Sequence, residues 1–416
     1  MRRLVFPLVA LAAVPAVVTA DWPQFRGPTA QGHADKADPP VTWGPKQNVR
    51  WRTEIAGSGW SSPVVVGGRV YVTTAVPRGE DTPTADQSLR AVCLDAASGS
   101  VLWDVEVFLQ EGKDAPKIHP KNSHASPTPV VDGDRLYVHF GHMGTACLNT
   151  RDGSQIWSTR ELRYQPVHGN GGSPVLTHGK LVYSIDGGDK QQVVALDPAT
   201  GKVAWTTPRD AKPARSFSFG TPLVIPVGGK DQLVSVGSDV VMGLEPESGK
   251  EVWRVKFSGY SIVPRPVYGN GVLYFSTGYD SPVLYAVKAD GAGDVTATHV
   301  AWKSKTGAPR NASPLLVGDA LYCVTDGGLL TCFDAASGKE RWNESLGGAY
   351  SASPVLAGGQ VYLLAEDGTG TVFKPGKEYE ELAKNKLGEK ALASPAADGK
   401  ALYLRTAKAV YRIEGR

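Results

Sequence analysis

The chain has 416 residues, with 44 Lys and Arg against 41 Asp and Glu, a formal net charge of +3. Charge this balanced, with no Lys/Arg run or basic stripe, excludes the electrostatic footprint of a nucleic-acid binder. The length alone suggests two or three domains, a soft expectation that an internal repeat overrides.

Taken in chain order, Arg2 and Arg3 precede an apolar run from Leu4 to Val18 that closes on Val18-Thr19-Ala20. This is the layout of a secretory signal peptide, residues 1–20, and it predicts export to the periplasm or beyond. The run carries Pro7 and Pro15 and is shorter than the about 20 residues that a membrane helix needs. No later segment is apolar enough to span a bilayer, so a soluble monomer is expected, without a membrane span. Residues 21–48 form a polar arm, in which His33 has an exposed or arm-packing role.

From residue 49 onward one unit repeats. A dipeptide ending in Pro heads a short β-rich run at Ser62-Pro63, Ser126-Pro127, Ser173-Pro174, Thr221-Pro222, Arg265-Pro266, Ser313-Pro314, Ser353-Pro354 and Ser394-Pro395. Each is followed by a Gly/Asp turn and a second strand usually carrying Tyr, as in Leu136-Tyr137-Val138. A third strand enters a tight turn such as Leu94-Asp95-Ala96-Ala97-Ser98-Gly99, and a fourth carries Trp103, Trp157, Trp205, Trp253, Trp302 or Trp342. Short strands joined by turn residues at this period predict four-stranded blades around an axis, an all-β eight-bladed propeller over residues 49–416. Pro is tolerated at a strand's first residue, and the Trp rings are expected to wedge between neighbouring blades. The last repeat has only three strands, and residues 49–55 supply the missing fourth with Trp51, predicting closure of the ring by the N-terminal strand. Blade seven deviates, since residues 378–390 replace its Trp-bearing turn and strand.

Units such as Val194-Ala195-Leu196-Asp197…Gly201-Lys202…Trp205 resemble the pyrroloquinoline-quinone-like (PQQ-like) propeller repeat, and the opening Asp21-Trp22-Pro23-Gln24-Phe25-Arg26-Gly27-Pro28 resembles a secreted subgroup of that family. The resemblance implies the fold. It leaves activity open, because quinoprotein alcohol dehydrogenases and the propeller subunit of the outer-membrane barrel-assembly machinery share the repeat.

Strand order places the loops between blades, and those between second and third strands, on one face with the variable insertions 75–90, 104–125 and 206–220. Function is expected there. Residues just before each blade head should ring the axial funnel: Trp60 with Ser61, Asn122 with His124, His168 with Asn170, Phe217 with Phe219, Tyr260 with Arg265, Arg310 with Asn311, and Tyr350. His119, His139 and His142 could join them. Arginines, amides and aromatic rings suit a planar anionic ligand. The plainer alternative is that these groups fill and hydrogen-bond the throat.

The resemblance implies, for a quinone dehydrogenase, an adjacent Cys pair, a stacking Trp, a calcium site and a catalytic Asp. The sequence has no adjacent Cys pair and no Cys-x-x-Cys-His segment. Asp186, Asp189, Asp280 and Asp326 could offer oxygen ligands to calcium, although turn residues bonding their own backbone are the simpler reading. Cys93, Cys147 and Cys332 share one small buried slot of the third strand. A two-residue turn at Gly327-Gly328 would set Cys323 opposite Cys332, where a cross-strand disulfide is possible. The expected function is a non-enzymatic binding or scaffold module that engages a protein or polymer through its loop-rich face, with no cofactor. The alternative is an oxidoreductase dependent on PQQ and calcium.

Overall fold

Strands near the axis are apolar on both faces, as in Val70-Tyr71-Val72 and Leu136-Tyr137-Val138, all buried. Outermost strands such as Val49–Glu54 and Val203–Pro208 alternate half-buried with exposed positions. A sheet covered on both sides near the axis and on one edge at the rim is the environment of a propeller blade. The computed structural model describes residues 21–80, 82 and 85–415, so the segment 1–20 expected to be a signal peptide lies outside the described residues.

Eight antiparallel four-stranded sheets form the ring. Blade 1, for instance, comprises Val64–Val66, Arg69–Pro77, Gln87–Asp95 and Val101–Gln110. Blade 4 gains Gly293–Asp294, parallel to its outer strand, and blade 7 gains His33–Ala34, parallel to its innermost one. Val49–Glu54 pairs antiparallel with Ala409–Glu414 and completes blade 8, closing the ring as expected. Blade 7 has its fourth strand at Glu380–Lys386, without a Trp.

The Pro-headed dipeptides have a specific role. At six of the eight heads the residue before the Pro accepts a hydrogen bond on its hydroxyl from the backbone N–H at the head of the preceding blade. The chain of bonds runs from Ser62 N to Thr128 Oγ1, Thr128 N to Ser173 Oγ and Ser173 N to Thr221 Oγ1. It resumes from Arg265 N to Ser313 Oγ, Ser313 N to Ser353 Oγ and Ser353 N to Ser394 Oγ, all at 2.8–3.0 Å. This girdle corrects one sequence assignment: the head of blade 2 is Thr128-Pro129, leading directly into Val130–Asp132, and not Ser126-Pro127.

Six of the eight seams are closed by the expected Trp wedge. Trp51, Trp103, Trp157, Trp205, Trp302 and Trp342 each donate Nε1–H to a carbonyl in the outer turn of the next blade, at 2.9–3.2 Å. Trp253 differs, donating to Gln232 Oε1 at 2.7 Å. In every blade the register slips by one residue just before this slot, as at Ile156 before Trp157 and Arg50 before Trp51. Such a bulge increases the local twist and spoils the outer edge as a template for pairing.

The arm is packed, not exposed. Trp22 pairs with Val65 in blade 1, and Pro23 O accepts from Val131 N of blade 2. The chain then crosses the channel to Tyr268 of blade 5, through Gln31, and to blade 7, through Gly32–Ala34. Trp22, Arg26 and Trp43 end up buried.

The cysteine expectation is corrected. Thr325 and Leu329 close the hairpin of blade 6 around the three residues Asp326-Gly327-Gly328. Cys323 therefore faces Thr331, and Cys332 faces Tyr322. A one-residue slip flips a strand's side chains to opposite faces, so Cys323 packs between blades 5 and 6 while Cys332 packs between blades 6 and 7. All four cysteines are free and buried.

Candidate functional site

Inter-blade loops and the loops between second and third strands converge at one end of the axis around an open cup of about 610 Å³. Its floor combines girdle hydroxyls, among them Ser62, Thr128, Ser173, Thr221, Ser353 and Ser394, with the ring of Phe25 from the arm. The axis is thus a cup closed by the chain's own N-terminal segment.

One wall is aromatic. His119 and His168 meet edge to face at 5.7 Å, His168 and Phe217 at 5.3 Å, and Phe217 touches Tyr260 at 5.6 Å and Phe219 at 6.0 Å. Offset and edge-to-face contacts at these distances are the favourable ones. Gly171 makes room for this wall, because a Cβ there would lie 2.9 Å from Phe219 Cβ. His168 (φ 65°) and Ser261 (φ 55°) hold left-handed backbone conformations on the same wall, which packing must enforce. Burial, and after it His119 and Lys117, lowers the His168 pKa, favouring the neutral ring.

The rim is charged, and its charges are engaged with one another. Lys121 reaches Glu366 at 2.9 Å and Asp326 at 3.2 Å. Burial opposes its charge, but the two carboxylates outweigh burial and raise its pKa. Asp326 also accepts from Asn311 Nδ2 and, at 3.3 Å, from the Arg310 N–H. Arg215 stacks over Tyr260 at 4.6 Å and donates to its hydroxyl, which donates in turn to Asp280. Burial and then Asp280 raise the Tyr260 pKa. Arg310 lies over Tyr279 at 5.4 Å.

Of the thirteen residues expected from sequence to ring the funnel, Trp60, Asn122, His168, Phe217, Phe219, Tyr260, Arg310 and Asn311 line the cup. The other five lie elsewhere. Ser61 is buried and accepts from Arg405. His124 sits 3.0 Å from Gln110 Nε2. Asn170 is buried and bonds Phe140 O and Tyr164. Tyr350 is buried in the core between blades 6 and 7. Arg265 is 1% exposed and donates to Phe25 O at 2.7 Å, behind the floor. Sequence reasoning missed Phe25, Lys121, Arg215 and Tyr279. The insertions containing Lys121 and Arg215 were placed on the correct face, but nothing local in them marks the residues that turn inward.

A polyvinylalcohol dehydrogenase of Pseudomonas sp is 27% identical over 250 residues, covering 50% of this chain and 36% of that protein. The outer membrane protein assembly factor BamB of Alkalilimnicola ehrlichii is 27% identical over 234 residues, covering 56% and 50% respectively. The chain spans about half or less of the length of the curated relatives it matches. Among solved structures, a europium-containing methanol dehydrogenase superposes with a TM-score of 0.67 at 12% identity, over 94% of this chain and 90% of that one. BamB from Moraxella catarrhalis superposes with a TM-score of 0.59 at 13% identity, over 86% and 96%. These two structural likenesses show the fold alone. The sequence model described as outer membrane protein assembly factor BamB matches residues 44–187, 189–293 and 291–378, and the chain belongs to that family of PQQ-like repeat propellers.

Proposed function

We propose that the protein is an exported, non-enzymatic binding module whose loop-rich face holds an extended segment of another macromolecule, a protein or a polymer, in the axial cup. The observation that supports this most is the aromatic wall from His119 to Tyr260 standing over a floor of hydroxyls. Rings supply large contact area at little entropic cost, and hydroxyls bond a main chain without demanding a sequence. The carboxylate lining the cup, Asp326, is engaged by Lys121 and Asn311 and holds loops together. One relative is an outer membrane protein assembly factor, and an unpaired β-strand of a client protein is the ligand that this reading favours.

The fold family also implies PQQ and calcium. The rings, with Arg215 and Arg310, suit a planar polycarboxylate. The donor set does not suit calcium: among the described residues no group of three Asp, Glu, His or Cys converges, and six to eight oxygens are needed. No catalytic step is derived through either group.

The test is a calorimetric titration of the purified protein with a synthetic peptide of alternating aromatic and polar residues. Micromolar binding is expected, weakened about tenfold, or about 1.4 kcal/mol, by Phe217→Ala. Indifference to the peptide, together with tight binding of PQQ in calcium buffer that Arg310→Ala abolishes, would overturn this reading in favour of an oxidoreductase.

A further inference from the structure

Three buried arginines carry no carboxylate partner among the described residues, and two of them, Arg26 in the arm and Arg265 in blade 5, are linked through the arm backbone. Arg209, by contrast, is fully buried and gripped at 2.7 Å through both Nε and Nη2 by the two oxygens of Asp186. Arg405 spends its guanidinium on the backbone and hydroxyl oxygens of Ser61. Arg26 and Arg265 have far less. Arg26 donates one bond, from Nη2 to Gln31 O at 2.7 Å, and its Nε and Nη1 are buried without an acceptor. Arg265 donates from Nη1 to Phe25 O at 2.7 Å, and its Nε is likewise buried and unmatched. That carbonyl belongs to the residue before Arg26, so Arg265 grips the arm next to Arg26, and the Arg26 charge is near enough to act on Arg265. Each is 1% exposed.

Two like charges removed from water with three unmatched N–H donors are a costly arrangement. The guanidinium cannot escape the cost by losing its proton at neutral pH. Burial lowers both groups only to about 9, with Arg26 adding to the effect on Arg265. Water would satisfy donors but not charge. We infer that a small inorganic anion binds between Arg26 and Arg265, behind Phe25, and fastens the N-terminal arm across the propeller channel. The arm supplies one cation and blade 5 the other, so the anion bridges two parts of the chain that are 239 positions apart in sequence. This site is separate from the cup, whose lining contains neither arginine.

Calorimetric unfolding of the purified protein in sodium gluconate, chloride or bromide at equal ionic strength tests the inference. Tm should be higher in the halides and rise by about 1–3 °C for each tenfold increase in halide above its dissociation constant. Arg265→Met and Arg26→Met should each remove that dependence while retaining the far-ultraviolet spectrum of the native fold. Crystals grown with bromide should show an anomalous peak between the two guanidinium groups. Identical Tm values in all three salts would overturn the site, even with a bromide peak present, since the peak would then be an adventitious ion only. So would a halide dependence that survives both variants.

Discussion

Trp43 illustrates how one residue can repair a missing repeat position. In blade 7 the slot held by Trp elsewhere is Ala383, opposite Val372. Trp43 fills the same seam from the arm. It stacks on Tyr362 at 6.2 Å, as Trp103 packs against Tyr71 and Trp302 against Tyr274. Asn385 clamps it, accepting from the Trp43 N–H at 2.8 Å and donating to Val41 O at 2.9 Å. The ring fits because residue 370 is Gly, where a Cβ would lie 2.2 Å from Trp43 Cζ2. Trp43→Ala is therefore expected to destabilise the protein by about 3–5 kcal/mol, the range for emptying a large aromatic site, measured as a lower denaturant midpoint at unchanged slope. The absence of Trp from blade 7 was legible in the sequence. Its replacement was not, because the partner lies more than 300 residues away and no local pattern joins Trp43 to Gly370.

At the scale of single elements, strand content and seams were legible, while register failed wherever a turn was miscounted by a residue or two. Thr128 takes the girdle position that Ser126 seemed to hold because two Pro-containing dipeptides stand in succession, and only the contact with Ser62 distinguishes them. The blade 6 hairpin uses three connecting residues where two glycines suggested two, which separates Cys323 from Cys332. The bulges before each seam Trp left no mark in composition. The seam between blades 2 and 3 carries a titration prediction. His139 ends the second strand of blade 2, pairs with Thr145, and lies 4.2 Å from the Tyr183 ring of blade 3. Burial, and secondarily His142, lowers its pKa to about 3. The unfolded chain takes up this proton near 6.5, so the native state is fully favoured above that pH and loses stability as pH falls from 6.5 toward 3. The expected slope is about 1.4 kcal/mol per pH unit from this residue. Denaturant unfolding at a series of pH values should show it, and His139→Gln should flatten it by that amount.

Over the whole molecule, the closing strand decides whether eight blades behave as a ring or as an open array. Residues 49–54 are joined to Ala409–Glu414 by five register pairs, and Trp51 reaches forward to Ala96 O in blade 1 at 2.9 Å. One short segment therefore completes blade 8 and also seals the seam where the ring begins and ends. Arg405 of blade 8 adds a bond to Ser61 O at 3.2 Å across the same seam. In an open array of repeats, each unit is stabilised only by its neighbours, and cooperativity weakens with distance. In a closed ring every blade has two neighbours, and no blade presents a bare face. Deleting residues 21–55 removes the closing strand together with the arm. The expected result is a broad unfolding transition with a clearly smaller denaturant slope, since blades then unfold in groups and not all at once. A peptide of residues 44–58 added in trans should restore a steeper transition, because it re-forms the strand pairing without the arm. If the deleted chain instead unfolds with the full slope of the intact protein, closure by this strand contributes no cooperativity, and blade 8 stands as a three-stranded unit held by blade 7 and by inner contacts such as Arg405 with Ser61.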